Sequence, residues 1–83
     1  MEKINVFSVV KNAITEVLPD VDSESVDIEQ NLKSLGANSI DRTEIVMLSM
    51  EKLDIKLPLV SFGGVENIKE MVDVLVDAFD GNS

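Results

Sequence analysis

The sequence predicts an all-α fold, a small bundle of three main helices with one long first loop. Three observations carry that prediction. Apolar residues recur at three- and four-residue spacing in three separate segments. The one stretch that alternates polar with apolar residues, 52–60, has no second strand to pair with, and a lone strand is not stable. Finally, 83 residues make one small domain, 1–83, which buries only roughly 60–65% of its unfolded surface and has no room for a deep catalytic cleft.

The first helix is expected from about Ile4 to Leu18, with Val6, Val9, Val10, Ala13, Ile14, Val17 and Leu18 on its apolar face. Pro19 stops it, because proline cannot donate the next helical hydrogen bond. Lys11 and Asn12 interrupt the apolar run and no small-residue cleavage site follows, so the segment does not read as a signal peptide. No run approaches the ~20 apolar residues of a membrane span. A cytoplasmic protein is expected.

From Asp20 to Ser34 the chain is polar and acidic, with Val26, Ile28 and Leu32 as anchors to the core. It is a long loop for so small a domain. A calcium-loop register started at Asp20 puts Ser25 where a glycine is needed and Asn31 where a bidentate Glu belongs. No metal site is therefore expected. Nor does anything suggest the buried carboxylate pair that acid–base chemistry uses.

The stretch Leu35-Gly36-Ala37-Asn38-Ser39-Ile40-Asp41-Arg42-Thr43-Glu44 joins this loop to the second helix, about Ile40 to Leu53. Gly36 suits a tight approach to a helix start. Either Asn38 or Ser39 can cap the helix, and Asp41 stands three residues after Asn38, where a capping-box acid belongs. Ser39 thus sits at the mouth of a helix, where open amides and the positive dipole end favour an attached anion. Apolar residues cover most of the circumference of this helix, more than one core face requires. Ile45, Val46 and Leu53, with Ser49 between them, can face the bundle. Ile40, Glu44, Met47 and Glu51 form a second stripe that begins beside Ser39. Met is an adaptable contact for partners and acids steer basic surfaces, so this stripe reads as a docking face.

After Leu53 an extended connector follows, with Ile55, Leu57 and Leu59 expected inward, and then a short fourth turn around Phe62 to Glu66 bent by Gly63-Gly64. Asn67-Ile68-Lys69-Glu70 resembles a capping-box start. The last helix carries Ile68, Met71, Val72, Leu75, Val76 and Phe79, with Gly81 as its stop.

Seven basic and 16 acidic residues give a net charge of −9, which argues against nucleic acid and anionic membranes and for basic protein surfaces as partners. With no Cys and no His the chain has no thiolate nucleophile and no imidazole base. Thiol chemistry would need an added group.

The string Leu35-Gly36-Ala37-Asn38-Ser39-Ile40-Asp41 resembles the attachment motif of acyl carrier proteins, and the resemblance extends over nearly the whole chain. It implies a small acyl-carrier-like bundle of three or four helices with 4′-phosphopantetheine carried covalently on Ser39 and acyl intermediates held as thioesters. It further implies partner docking through Asn38, Ile40, Asp41, Arg42, Glu44, Met47 and Glu51. Implied partners are a phosphopantetheinyl transferase and ketosynthase-like, acyltransferase or 3-hydroxy-3-methylglutaryl-synthase-like enzymes with basic docking surfaces. The carrier itself is expected to be a non-catalytic monomer. Asn38 stands where an Asp usually precedes the serine, and Arg42 brings a positive charge into the acidic first turn. Gly36 to Met47, with Leu57-Pro58-Leu59-Val60, is most similar to the free-standing carriers of polyketide β-branching cassettes, which donate acetyl units. Fatty-acid, D-alanyl and peptidyl carriers share the architecture, and an unmodified acidic helical adaptor is the reading from another class.

Overall fold

The computed structural model describes residues 2–65 and 67–81. It contains three α-helices, α1 (Lys3–Val17), α2 (Ser39–Leu53) and α3 (Ile68–Gly81), and no strand among the described residues. Three short 3-10 turns lie between them, at Ser23–Ser25, Lys33–Leu35 and Leu59–Phe62. The expected all-α class, the three helices and the long first loop are all present.

α1 is the centre of the bundle. Its Val6, Val10, Ala13 and Ile14 are fully buried, the other three lying three or four residues from Val10 and so on one face. It packs on both α2 and α3, which do not pack closely on one another. From α2 come Ile45, Val46, Met50 and Leu53, and from α3 come Ile68, Met71, Val72 and Leu75. Burying each such aliphatic side chain contributes roughly 1.5–3 kcal/mol. Two exposed ion pairs, Lys52 with Glu16 and Lys3 with Asp73, tie α2 and α3 to α1. Pairs this exposed contribute at most about 1 kcal/mol each.

Val26, Leu32 and Ala37 are buried, so the long loop lies on the bundle rather than extending from it. The Cα radius of gyration of 11.5 Å, against about 12 Å for a compact chain of this length, agrees. The loop's polar residues build its turns: Asp22 Oδ1 accepts from the Glu24 amide, Asp27 Oδ1 from the Glu29 amide, and Asn31 Oδ1 from the Ser34 amide. These are side chains substituting for backbone acceptors in turns. The loop then completes α3. The Ile68 and Lys69 amides donate to the carbonyls of Gln30 and Ile28, each at 2.8 Å, and the Glu70 amide donates to Asn67 Oδ1 at 2.9 Å. Three amides of the first turn of α3, which have no partner inside the helix, are thereby satisfied.

Two expectations are corrected. Leu59 does not pack inward but is 46% exposed, because the chain leaves Pro58 directly into a 3-10 turn whose inward position falls to Phe62. The short fourth element accordingly comes earlier, at Leu59–Phe62 rather than Phe62 to Glu66, and Gly63-Gly64 follows it as a turn; Glu66 itself lies outside the described residues. Met47 and Met50 divide, Met50 entering the core and Met47 remaining 53% exposed. The stop after Gly81 also lies outside the described residues.

Candidate functional site

The approach to Ser39 is built one residue at a time. The turn at Lys33–Leu35 ends on Gly36, whose φ of 93° is the left-handed conformation that glycine adopts without a Cβ penalty. Ala37 is then buried and its amide donates to the Leu32 carbonyl, which pins the chain before the helix. Asn38 is extended and caps α2. Its Oδ1 accepts from the Asp41 amide at 2.8 Å while Asp41 Oδ2 accepts from the Asn38 amide at 3.3 Å, a complete capping box. The asparagine therefore does the capping that the sequence left open between it and Ser39.

Because Asn38 is the cap, Ser39 is the first helical residue and its hydroxyl is exposed with no hydrogen-bond partner among the described residues. The Arg42 amide is taken by the Asn38 carbonyl and the Asp41 amide by the cap. Those of Ser39 and Ile40 have no acceptor among the described residues, so an anion attached at Ser39 Oγ would meet open donors at the positive end of the helix. These residues fit a phosphodiester on that oxygen. Thr43, one turn on, donates its hydroxyl to the Ser39 carbonyl at 3.0 Å.

The residues named from sequence separate into three groups. Asn38 and Asp41 are engaged with each other in the cap. Ile40, Glu44, Met47 and Glu51 are exposed together on the outer face of α2, with Ile40 70% exposed. Arg42 stands apart from that stripe. It lines a groove of about 220 Å³ with Ser39, Thr43, Val46, Leu59, Phe62 and Gly63, and it forms no ion pair with a carboxylate among the described residues.

Sequence reasoning missed the second wall of this groove. Leu59 and Phe62 line it from the 3-10 turn, and Val60 beside them is 80% exposed. A signal was present: three apolar residues in the four of Leu59–Phe62 exceed what one short turn can bury, so some must face outward. The exposed apolar set near the serine therefore draws on two elements, α2 and this turn. Exposed apolar residues around a functional group mark a contact surface.

No helix among the described residues is long and apolar enough to cross a membrane. Comparison with known proteins agrees with the geometry. Residues 8–75 match the family model described as the phosphopantetheine attachment site. The chain is 42% identical over 77 residues to the polyketide biosynthesis acyl-carrier protein AcpK of Bacillus subtilis, covering 93% of this chain and 94% of that one. It is 33% identical over 78 residues to an acyl carrier protein of a Picosynechococcus species, covering 93% and 95%. Among solved structures, the acetyl donor carrier crystallised with the 3-hydroxy-3-methylglutaryl synthase of the curacin biosynthetic pathway superposes with a TM-score of 0.83 at 32% identity, covering 90% of this chain and 96% of that one. With a capped helix opening on a free serine, and with the family's model matched across most of its length, the chain belongs to the phosphopantetheine-attachment family and is an acyl carrier protein.

Proposed function

We propose that residues 1–83 act as one non-catalytic, cytoplasmic carrier domain that bears its arm on Ser39 and donates acetyl units to a 3-hydroxy-3-methylglutaryl-synthase-like enzyme during polyketide β-branching. The observation that carries the attachment site is the unengaged, exposed hydroxyl of Ser39 at the capped start of α2. The pathway reading is supported by the likeness to AcpK and to the acetyl donor carrier of the curacin synthase complex.

A phosphopantetheinyl transferase supplies the base that this chain lacks. Ser39 Oγ attacks the pyrophosphate of coenzyme A at the pantetheine-bearing phosphorus, 3′,5′-ADP leaves, and the hydroxyl proton passes to the transferase. The arm supplies a thiol, absent from a chain without Cys, on which an acyl group is held as a thioester. The protein's own part is to hold Ser39 at a fixed helix start, present Ile40 and Met47 for apolar contact, and use Glu44 and Glu51 to meet basic docking surfaces. Tethering makes delivery within a docked complex effectively intramolecular.

Intact mass after incubation with coenzyme A and a broad-specificity transferase tests the site. One arm is expected on the wild type and none on Ser39→Ala, which stays folded because the cap belongs to Asn38. Addition to Ser39→Ala, or none to the wild type with several transferases, would sink the site. The acetyl-loaded carrier offered to a β-branching synthase and to a fatty-acid condensing enzyme then tests the pathway. Faster turnover by the synthase is expected, and preference for the condensing enzyme would return the chain to the fatty-acid carriers.

A further inference from the structure

The turn at Leu59–Phe62 has two sides. Leu59, Phe62 and Gly63 line the groove at Ser39, while Ser61, Gly64 and Val65 line a separate groove of about 320 Å³ together with Glu70, Asp73 and Val74 of α3. At the low end of the roughly 300–1,000 Å³ of ligand pockets, this second groove is small for a free ligand and ample for one long side chain. Its Val65 and Val74 are only half-buried. Gly64 keeps it open. That glycine does not take the left-handed conformation, and a Cβ added to it would meet no atom within 4 Å, so neither backbone geometry nor packing within this chain calls for glycine there.

The rim of this groove is acidic. Glu70 and Asp73 stand three residues apart on α3 and so are neighbours on its surface. One basic side chain of the chain itself, Lys3, already pairs with Asp73 Oδ1. Asp73 Oδ2 and the Glu70 carboxylate have no hydrogen-bond or ion-pair partner among the described residues. The complement of an apolar trough edged by two carboxylates is a cation on a long apolar stem. Arginine meets both requirements, since its methylenes cover apolar surface while its head reaches the polar rim, and its planar fork offers parallel donors to carboxylate oxygens.

We infer that this groove is a second docking site, across the turn from the serine groove, into which the acetyl-accepting synthase inserts an arginine, its stem on Val65 and Val74 and its guanidinium between Glu70 and Asp73. The inference rests on the proposed delivery to a synthase with a basic docking surface. It adds a contact that α2 does not supply. The α2 stripe and the groove lie on different elements, so using both fixes the carrier's rotation on the enzyme as well as its position.

Transfer from the acetyl-loaded carrier to a β-branching synthase tests it, with KM and kcat read separately. Gly64→Leu fills the groove without changing its charge, Glu70→Gln removes the unpaired charge of the rim, and Glu24→Gln removes an exposed acid of the first loop. The first two each raise KM about five- to tenfold with kcat and melting temperature unchanged, and Glu24→Gln leaves KM where it was. In the double variant Gly64→Leu with Glu70→Gln the two losses do not add, because both exclude the same occupant. A wild-type KM in either groove variant, a loss in Glu24→Gln equal to that in Glu70→Gln, or additive losses in the double variant overturns the inference while leaving delivery to the synthase in place. The comparison of Glu70→Gln with Glu24→Gln decides alone if Gly64→Leu folds poorly. An acetyl-loaded wild type that the synthase does not turn over would instead overturn the delivery reading together with this one.

Discussion

The two faces of α2 are made from the same kinds of residue and have opposite fates. On the inner face Ile45, Val46, Ser49, Met50 and Leu53 are buried against α1 and the core. On the outer face Ile40 and Met47 are 70% and 53% exposed, flanked by Glu44 and Glu51. Even the one inward hydroxyl is satisfied locally, Ser49 donating to the Ile45 carbonyl at 2.8 Å, as a buried polar group must be. The outer apolar residues have no such account in the fold. Hydrophobicity alone therefore assigns no role on this helix; what separates core from contact surface is angular position relative to α1.

The sharpest way to break the comparison is to truncate one residue from each face. Ile45→Ala removes a fully buried side chain and should cost about 2–5 kcal/mol, enough to shift the melting temperature by many degrees in a chain this short. Met47→Ala should change stability by no more than about 0.5 kcal/mol and yet weaken productive docking. Chemical denaturation of the two variants decides it. Similar stability losses would mean that the outer face also serves the fold.

A smaller effect is expected at Asn38, where the two faces meet the loop. Asn38→Ala leaves the Asp41 amide without its acceptor and should destabilise by about 1 kcal/mol. Asn38→Asp should restore the cap with no such loss, since both side chains offer the oxygen that the amide needs. If the Ala variant were as stable as the wild type, the capping box would not be what positions Ser39. The same thermal melts, read beside intact mass after modification, separate a shifted serine from a merely weakened helix.

Much of this was legible because it is local. The three helices follow from the spacing of Val6, Val10, Ile14 and their counterparts, and the cap of α2 from Asn38 and Asp41 three residues apart. The identity of the cap needed the structure, since Asn38 and Ser39 are both good candidates by side-chain chemistry and only backbone angles choose between them. The fate of Leu59 was not legible. Alternation along 52–60 places it with Ile55 and Leu57, but the turn after Pro58 breaks the period and gives the inward position to Phe62. Arg42 is the other case: its sequence position puts it on the recognition helix, while its placement in a groove depends on residues 59–63 folding back from far along the chain. Non-local walls of this kind leave no periodic trace.

The smallest expected effect is also the one that tests the charges of the outer face apart from its apolar residues. Glu44→Lys and Glu51→Lys each change an exposed side chain that forms no ion pair among the described residues, so circular dichroism and melting temperature should hardly move. Exposed charges act on encounter more than on the final complex, through the field that meets a basic partner surface. Each reversal should thus lower kcat/KM with a cognate enzyme by about two- to fivefold, the equivalent of roughly 0.5–1 kcal/mol, chiefly through association. Screening sharpens the test. At about 0.1 M salt the field reaches about 10 Å and at 1 M only about 3 Å, so the difference between wild type and variant should shrink as salt is raised, whereas the loss from Met47→Ala should persist. If both reversals leave kcat/KM unchanged at low salt, Glu44 and Glu51 are solvated surface, and recognition on the outer face of α2 falls to Ile40 and Met47 alone.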